Sequence, residues 1–316
     1  MLGFALRRVT VGLATLVAVT LLMFLSVSAL PGDQCSASLG RTATEGALAR
    51  CRQEISGQGN IAVRYVRWTA SAMTGDLGTS HVRKEPVAAA LAPRLFNTFV
   101  LASVAAGIAF PLAIVLGVLA ALRRDQAVDI GLPTLTLIGM TVPEFVSATM
   151  LVLVFSIWLG WLPGISMIPP DAPISRILPV IATPALALAF ISMAHTMRMV
   201  RSCTIDVLES CYVHMARLRG VPERLVVWRH VLPNAMLPAI GIIALQFATL
   251  LAGVVVIKVV FNYPGLGRLT MDAISNRDLP LVLGIAATLA AIYVAVTLVA
   301  DLLMFALNPR LRTVRS

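Results

Sequence analysis

Residues 203–233 read Cys-Thr-Ile-Asp-Val-Leu-Glu-Ser-Cys-Tyr-Val-His-Met-Ala-Arg-Leu-Arg-Gly-Val-Pro-Glu-Arg-Leu-Val-Val-Trp-Arg-His-Val-Leu-Pro, a polar, basic stretch between two long apolar runs. Ile205 to Leu218 contains neither Gly nor Pro and reads as one helix. Gly220 supplies its stop, because glycine is favoured just past a helix end. Pro222 suits the first turn of a second helix. Leu225, Val226, Trp228 and Val231 give that second helix an apolar face, and Pro233 and Pro238 mark the return to apolar sequence. A helix, a glycine elbow and a helix make a compact knob suited to docking in a groove of a soluble partner. The competing reading is an arginine-rich amphipathic hairpin lying on a lipid surface.

The setting of that knob follows from composition. The chain has 316 residues, 58% hydrophobic and 13% charged, where a soluble domain carries about a quarter charged residues. Several charge-free runs exceed the ~18 residues that mark a membrane span. The expected fold class is an all-α integral membrane protein with six transmembrane helices, placed near 9–30, 95–122, 130–163, 177–197, 235–260 and 279–307. The third run is too long for one straight span and too short for two, and Pro133, Pro143 and Pro163 interrupt it, so part of it is expected to tilt or lie at an interface. The domain plan is an N-terminal transmembrane helix over 1–30, an extracytoplasmic subdomain over 31–94, a transmembrane domain over 95–308 holding the loop 203–233, and a cytoplasmic tail over 309–316. Within 31–94, the stretch from Glu45 to Ala72 shows weak helical periodicity, marked by Leu48, Ile55, Val63 and Val66.

Six spans place both termini on one side. With the N-terminus inside, the short inner segments carry Arg7, Arg8, Arg123, Arg124, Arg198, Arg201, Arg217, Arg219, Arg224, Arg229, Arg310, Arg312 and Arg315, while the short outer loops carry only Arg176, Arg268 and Arg277. Basic residues in short loops collect on the cytoplasmic side, so both termini and the knob are expected there. This accounts for the net charge of +10 without nucleic acid; aromatic-basic interleaving of the single-strand-binding kind is absent from the sequence.

The sequence contains no G-x-x-x-x-G-K-[ST], no H-E-x-x-H and no G-x-S-x-G. His81, His195, His214 and His230 are dispersed, without metal-ligand spacing. The reading is therefore a non-catalytic chain with no metal of its own. Charged residues inside spans are functional candidates by default, and here they are Glu144, Lys258 and Asp301. Glu144 follows Pro143 and either faces a water-filled path or caps a helix N-terminus. Asp301 is expected to pair with an inner-face arginine. Lys258 is expected to snorkel outward or to pair with a partner's carboxylate at an outer gate. Such scattered charges disfavour a proton-coupled carrier, which groups its ionisable side chains at mid-membrane.

Ala216-x-x-x-Gly220, followed by Leu232-Pro233, resembles the coupling motif of ABC importer permeases, although His214-Met215-Ala216 stands where that family has Glu-Ala-Ala. The peptide branch of the family is similar in further stretches: Leu30-Pro31-Gly32-Asp33, Gly75-Asp76-Leu77-Gly78-x-Ser80, Pro86-Val87, and Arg94-Leu95-x-Asn97-Thr98. Within and after the knob come Tyr212-Val213, Ala216-Arg217, Arg219-Gly220, His230, and Asn234-Ala235. The last are Phe261-x-x-Pro264-Gly265-Leu266-Gly267-Arg268, Arg277-Asp278-x-Pro280, and Asn308-Pro309-Arg310-x-Arg312. The chain resembles the B-type permease of a dipeptide/oligopeptide/nickel importer over nearly everything except about 34–74. Lys258 departs from the usual carboxylate, Asn308 from Asp and Met304 from Tyr.

The resemblance implies a plasma (inner) membrane permease for peptides, or alternatively for nickel or another small solute. It implies a heterodimer with a second permease subunit, two ABC ATPase domains below and an extracytoplasmic substrate-binding protein above. ATP and Mg would belong to the ATPases. The coupling helix, about 206–219, would ride in an ATPase groove, with Glu209, Tyr212, Ala216, Arg217, Arg219 and Gly220 as the coupling residues. Glu144 and Lys258 are the gate or pathway candidates.

The expected orientation divides the cysteines. Cys203 and Cys211 face the cytosol, and Cys35 and Cys51 the oxidising side. A Cys35–Cys51 disulfide would close a short loop and stabilise it by ~3 kcal/mol; two separate thiols are the alternative. With the disulfide, mass spectrometry after alkylation without reductant finds both outer cysteines unmodified, and modification of both rules the bond out.

Overall fold

The computed structural model describes residues 2–29, 44–56, 60–80, 82–169, 171–252 and 260–307. The helices are α1 (Leu2–Ala29), α2 (Glu45–Ser56), α3 (Ile61–Met73), α4 (Val87–Leu122), α5 (Ala127–Thr141) and α6 (Glu144–Leu151). They continue with α7 (Ile174–Val180), α8 (Ala182–Leu208), α9 (Cys211–Leu218), α10 (Glu223–Leu225), α11 (Leu232–Ala252), α12 (Leu266–Ser275) and α13 (Leu279–Leu307). No β-strand occurs among the described residues; Thr79 and Pro86 form an isolated bridge. Among the described residues, four stretches are long and apolar enough to cross a membrane: Leu6–Ser26, Val87–Leu122, Glu223–Ala252 and Leu279–Leu307. Two bent pairs bring the number to six if each is one span.

Prolines decide where the bends fall. The third apolar run breaks before Pro143, where Val142 is extended, and its halves Ala127–Thr141 and Glu144–Trp158 diverge by 101°. Each half is about 22 Å long at 1.5 Å per residue, short of the ~30 Å hydrocarbon core. Pro133 sits inside α5 without ending it. The fourth run bends by 64° at Ile181, between α7 and α8. The fifth span starts earlier than expected. Pro233 and Pro238 do not open it; the helix is continuous from Glu223 through a π-helical turn at Val226–Val231 into α11. A proline ring crowds the carbonyl four residues back and leaves it without a donor, and a widened turn just before Pro233 accommodates both. Helix α4 likewise begins at Val87 rather than at Leu95 and carries Pro93 and Pro111 within it.

The core is built on α4 against α8, the most extensively packed helix pair. On α4 the buried seam is Ala102, Ala105, Ala106, Ala109, Ala113, Gly117 and Ala120. On α8 it is Leu188, Ser192, Thr196, Val200 and Thr204, every fourth residue. Small side chains let two helices approach until their backbones touch. A Cβ placed on Gly117 would lie 2.7 Å from the Met197 carbonyl oxygen and 3.0 Å from Val200. Helix α11 packs on both α8 and α13, and α1 lies along α13. Arg8 Nη1 lies 2.9 Å from Asp301 Oδ2 across that last pair, the arginine pairing expected for Asp301. Helix α3 leans on α1: the Tyr65 hydroxyl donates to Val17 O at 3.1 Å and lies 3.0 Å from Thr20 Oγ1.

At one end of α4 a buried polar knot joins stretches far apart in sequence. Ser80 Oγ donates to the Asp278 carboxylate, and both residues are buried. Asn97 Nδ2 donates to Pro264 O at 3.1 Å, the Tyr263 hydroxyl to Asn97 O at 2.7 Å, and Leu266 N to Thr98 Oγ1 at 2.9 Å. Four of the stretches that carry the resemblance therefore meet in one place. Buried polar groups persist only when partnered; here Asn97 and Thr98 fix the 263–266 segment against α4, and Ser80–Asp278 ties the loop before α4 to the start of α13.

The α4–α8 contact yields a test. Gly117→Ala forces a methyl group against a backbone carbonyl and is expected to destabilise by about 1–3 kcal/mol. Gly107, where a Cβ would meet nothing within 4 Å, takes Ala without loss. Thermal unfolding in detergent compares the two; equal midpoints would show that the seam is not tight.

Candidate functional site

The knob is built differently from a single helix over Ile205–Leu218. The last turn of α8 runs on to Leu208, Ser210 is extended (φ −70°, ψ 144°), and α9 starts afresh at Cys211. Serine suits such a boundary, because its hydroxyl competes for backbone groups: Ser210 Oγ donates to Val207 O at 2.5 Å. The helix available to a partner is therefore the eight residues Cys211–Leu218. Residues 203–208 belong to the membrane helix before it, and the second helix of the knob is the beginning of the next membrane helix.

Gly220 turns the chain at φ +74°, a left-handed conformation that L side chains resist. Val221 N then donates back to Ala216 O at 3.2 Å. The elbow has its own small core, in which Val213 and Ala216 of α9 meet Val226 and Val231, with Val207, Leu208 and Val221 packed around them. The opposite face of α9 is open: Tyr212, Met215 and Leu218 are exposed, Leu218 at 81%, and Leu225 and Trp228 are exposed nearby. An apolar face left uncovered on a small, internally packed helix has the character of an interface.

Ion pairs hold this knob to the membrane helices. Arg217 donates through Nε and Nη2 to the Glu223 carboxylate at 3.1 and 2.6 Å, clamping the two sides of the Gly220 elbow. The hydrogen bond to Glu223 holds the Arg217 guanidinium above its usual range. Arg124, in the α4–α5 turn, pairs with Glu209, and the hydrogen bond to that carboxylate raises the arginine likewise. Arg201 of α8 grips the buried Asp129 of α5 through two bonds of 2.5 and 2.8 Å. Asp129 also accepts from Asp125 N at 3.0 Å.

Of the sequence candidates, the structure brings together Glu209, Tyr212, Ala216, Arg217, Arg219 and Gly220 in one knob, with differing surroundings. Tyr212 and Arg219 are exposed, Ala216 is part of the elbow core, and Glu209 and Arg217 have partners within the chain. Glu144 lies apart from them, half-buried in the first turn of α6 at the 101° break. Lys258 and Cys35 lie outside the described residues, as does the side chain of Cys51. No group of three or more metal-ligating side chains occurs among the described residues. Sequence reading missed Asp129, Arg201, Arg124 and Glu223 as partners. Asp129 offered one signal: it is an acid at the start of an apolar run, with no neighbour in sequence able to neutralise it except the arginines before Asp125.

Residues 113–313 match the family described as binding-protein-dependent transport system inner membrane component, and residues 1–102 match the N-terminal family of the same transport system membrane component. The chain is 35% identical over 313 residues to a protein of Brucella abortus named as a peptide transport system permease, with 99% of each chain covered. It is 35% identical over 315 residues to the glutathione transport system permease protein GsiC of Pectobacterium atrosepticum, again with 99% of each covered. To the protein of that name from Salmonella paratyphi A it is 34% identical over 314 residues, with the same coverage.

The Arg201–Asp129 and Arg124–Glu209 pairs differ in burial and so in expected weight. Asp129→Asn strands Arg201 beside a neutral group and is expected to cost up to about 3–5 kcal/mol, as for other buried pairs that lose one partner. Glu209→Gln removes an exposed pair worth ~0–1 kcal/mol. Chemical or thermal unfolding of the two variants checks the order; a larger loss for Glu209→Gln would reverse it.

Proposed function

Because the chain belongs to the family of binding-protein-dependent transport system inner membrane components, we propose that it forms half of the translocation path of an ATP-driven importer for peptides. The substrate class follows the names of its relatives, which are peptide and glutathione permeases. Its partners are a second permease subunit, two ATPase domains and an extracytoplasmic binding protein. ATP and Mg are bound by the ATPases, and this chain is a non-catalytic subunit with both termini in the cytoplasm. The observation that carries the reading is the knob: a short stiff helix, exposed on one face, packed on the other, and continuous with two membrane helices through Ser210 and Gly220.

In this reading α9 seats in a groove of one ATPase, with Tyr212, Met215 and Leu218 as its contact face. Closure of the ATPase pair pushes α9, and the Arg217–Glu223 clamp keeps the elbow from folding under the load. The push passes to α8 and α11 directly and to α5 through Arg201–Asp129 and Arg124–Glu209. Helix α5 leads to the break at Pro143, so Glu144 stands where such a movement would open or close a path. This is rigid-body switching between two packed states. A proton-coupled carrier is the weaker reading, because Asp301 is paired with Arg8 and Glu144 stands apart.

The elbow provides the test. A Cβ on Gly220 meets nothing within 4 Å, so Gly220→Val acts through backbone strain alone, about 1–2 kcal/mol for a left-handed residue. In the reconstituted complex this variant is expected to insert normally and to lose the stimulation of ATP hydrolysis by the binding protein. Wild-type stimulation in Gly220→Val would refute the coupling role.

A further inference from the structure

At the end of α4 opposite the knob lies a half-open pocket of about 230 Å³ lined by Arg83, Arg94, Arg268 and Asp272, with Pro264 and Gly265 as its backbone wall. Three guanidinium groups share it with one carboxylate. Arg83 reaches Asp272 at 3.6 Å and Glu85 at 3.7 Å, so both nearby acids are engaged by the arginine at the rim. Arg94 commits one N–H to Ala90 O at 2.7 Å, and Arg268 bonds the neutral Asn262 side chain. Neither Arg94 nor Arg268 forms a direct ion pair among the described residues, although Glu85 and Asp272 lie close enough to Arg94 to act on its charge. Arginine carries five donors, so both retain donors for a ligand.

Two further features make the pocket an anion site rather than a loose basic patch. The ten-residue helix α12 begins at its wall, with no acid in its first turn, and of its first N–H groups Leu266 N is taken by Thr98 Oγ1. A helix N-terminus carries partial positive charge and adds to the arginines. The wall is also fixed: Asn97 holds Pro264 O and Thr98 holds Leu266 N. A rigid frame keeps like charges together that would otherwise spread into water. The volume is below the ~300–1,000 Å³ of small-molecule pockets, which suits one side-chain carboxylate better than a whole peptide.

We propose that this pocket receives an aspartate or glutamate side chain of the substrate-binding protein. The inference rests on the transport reading above, which puts the ATPases at the knob and the binding protein at this end. A carboxylate enters between Arg94 and Arg268, each able to donate two parallel bonds to it, and the α12 N-terminus supplies the rest of the field. Such a contact sets the register of docking and makes association salt-dependent.

The test uses the full complex, reconstituted in proteoliposomes of zwitterionic lipid and, in parallel, of lipid containing an anionic fraction, with the purified binding protein as probe. Arg94→Gln and Arg268→Gln are expected to weaken binding-protein affinity about tenfold and to flatten its dependence on ionic strength, while basal ATP hydrolysis is unchanged. Arg83→Gln, on the exposed loop, serves if the helix variants fail to assemble, with a smaller loss of the same kind. Replacing the binding protein's docking acid by arginine is expected to restore binding to Arg268→Glu. Unchanged affinity and salt dependence overturn the proposal. So does a rise in KM for peptide uptake at unchanged binding-protein affinity, which assigns the pocket to substrate. An effect seen only with anionic lipid also overturns it and assigns the pocket to a headgroup phosphate. If the wild-type complex shows no ATP-dependent uptake, the transport reading itself fails; if it transports and the variants bind normally, only the pocket assignment fails.

Discussion

The structure depends on how closely α4 and α8 approach. Gly117 lies against the Met197 carbonyl and Val200, and along the seam the α4 side is mostly alanine while α8 supplies Ser192, Thr196 and Thr204 beside Leu188 and Val200. In lipid there is no hydrophobic gain from hiding leucine from leucine, so helix pairs hold through dense van der Waals contact, which small residues permit. Helix α4 has 36 residues, about 54 Å at 1.5 Å per residue, and ties the polar knot at one end to the Arg124–Glu209 pair at the other. Helix α8 has 27 residues and ends in the knob. Because the two are packed along their shared seam, a displacement of α9 would not be absorbed where α8 ends. It has to move α4, or the bent α5–α6 arm that hangs from it.

The sequence showed the architecture at the level where hydropathy speaks. Six apolar runs, the glycine elbow at Gly220 and the break at Pro143 were all legible, because each rests on a local property: absence of charge, tolerance of positive φ, or loss of an N–H. The helix bounds were less legible where a local signal was overridden. Pro233 and Pro238 look like breaks, yet a π-helical turn lets the helix run through. Ser210 looks compatible with a helix, yet it is the point where α8 stops. The seam was invisible for a different reason: Ala, Gly and Ser along α4 and α8 differ little from neighbouring apolar residues in hydropathy, and only their four-residue spacing on facing helices gives them a role.

The charged partners were the hardest to read. Arg201 and Asp129 are 72 residues apart, and Ser80 and Asp278 are 198 apart. Nothing in either local sequence names the other. Asp301 was legible because its partner class was constrained by depth: an acid near the end of a span must find a cation at the same level, and Arg8 is on the neighbouring helix. Asp129 obeys the same constraint, but four arginines of the α4–α5 turn and α8 lie within the candidate range, and only the fold selects Arg201.

The two ends of the molecule differ in how many of their arginines are paired within the chain. At the knob, Arg124, Arg201 and Arg217 are each matched to a carboxylate of the same chain. The surface left to a partner combines the apolar Tyr212, Met215 and Leu218 with the exposed Arg219, Arg224 and Arg229. An interface that must stay engaged while it transmits force gains from contact area that salt does not weaken. At the other end, Arg94 and Arg268 are left with spare donors in a frame that cannot relax around them. A partner that must arrive, release its cargo and leave gains from charge, which steers association without demanding a large permanent contact. Under the proposed function, the paired arginines would brace the chain on the ATPase side and the spare donors of Arg94 and Arg268 would face the binding protein.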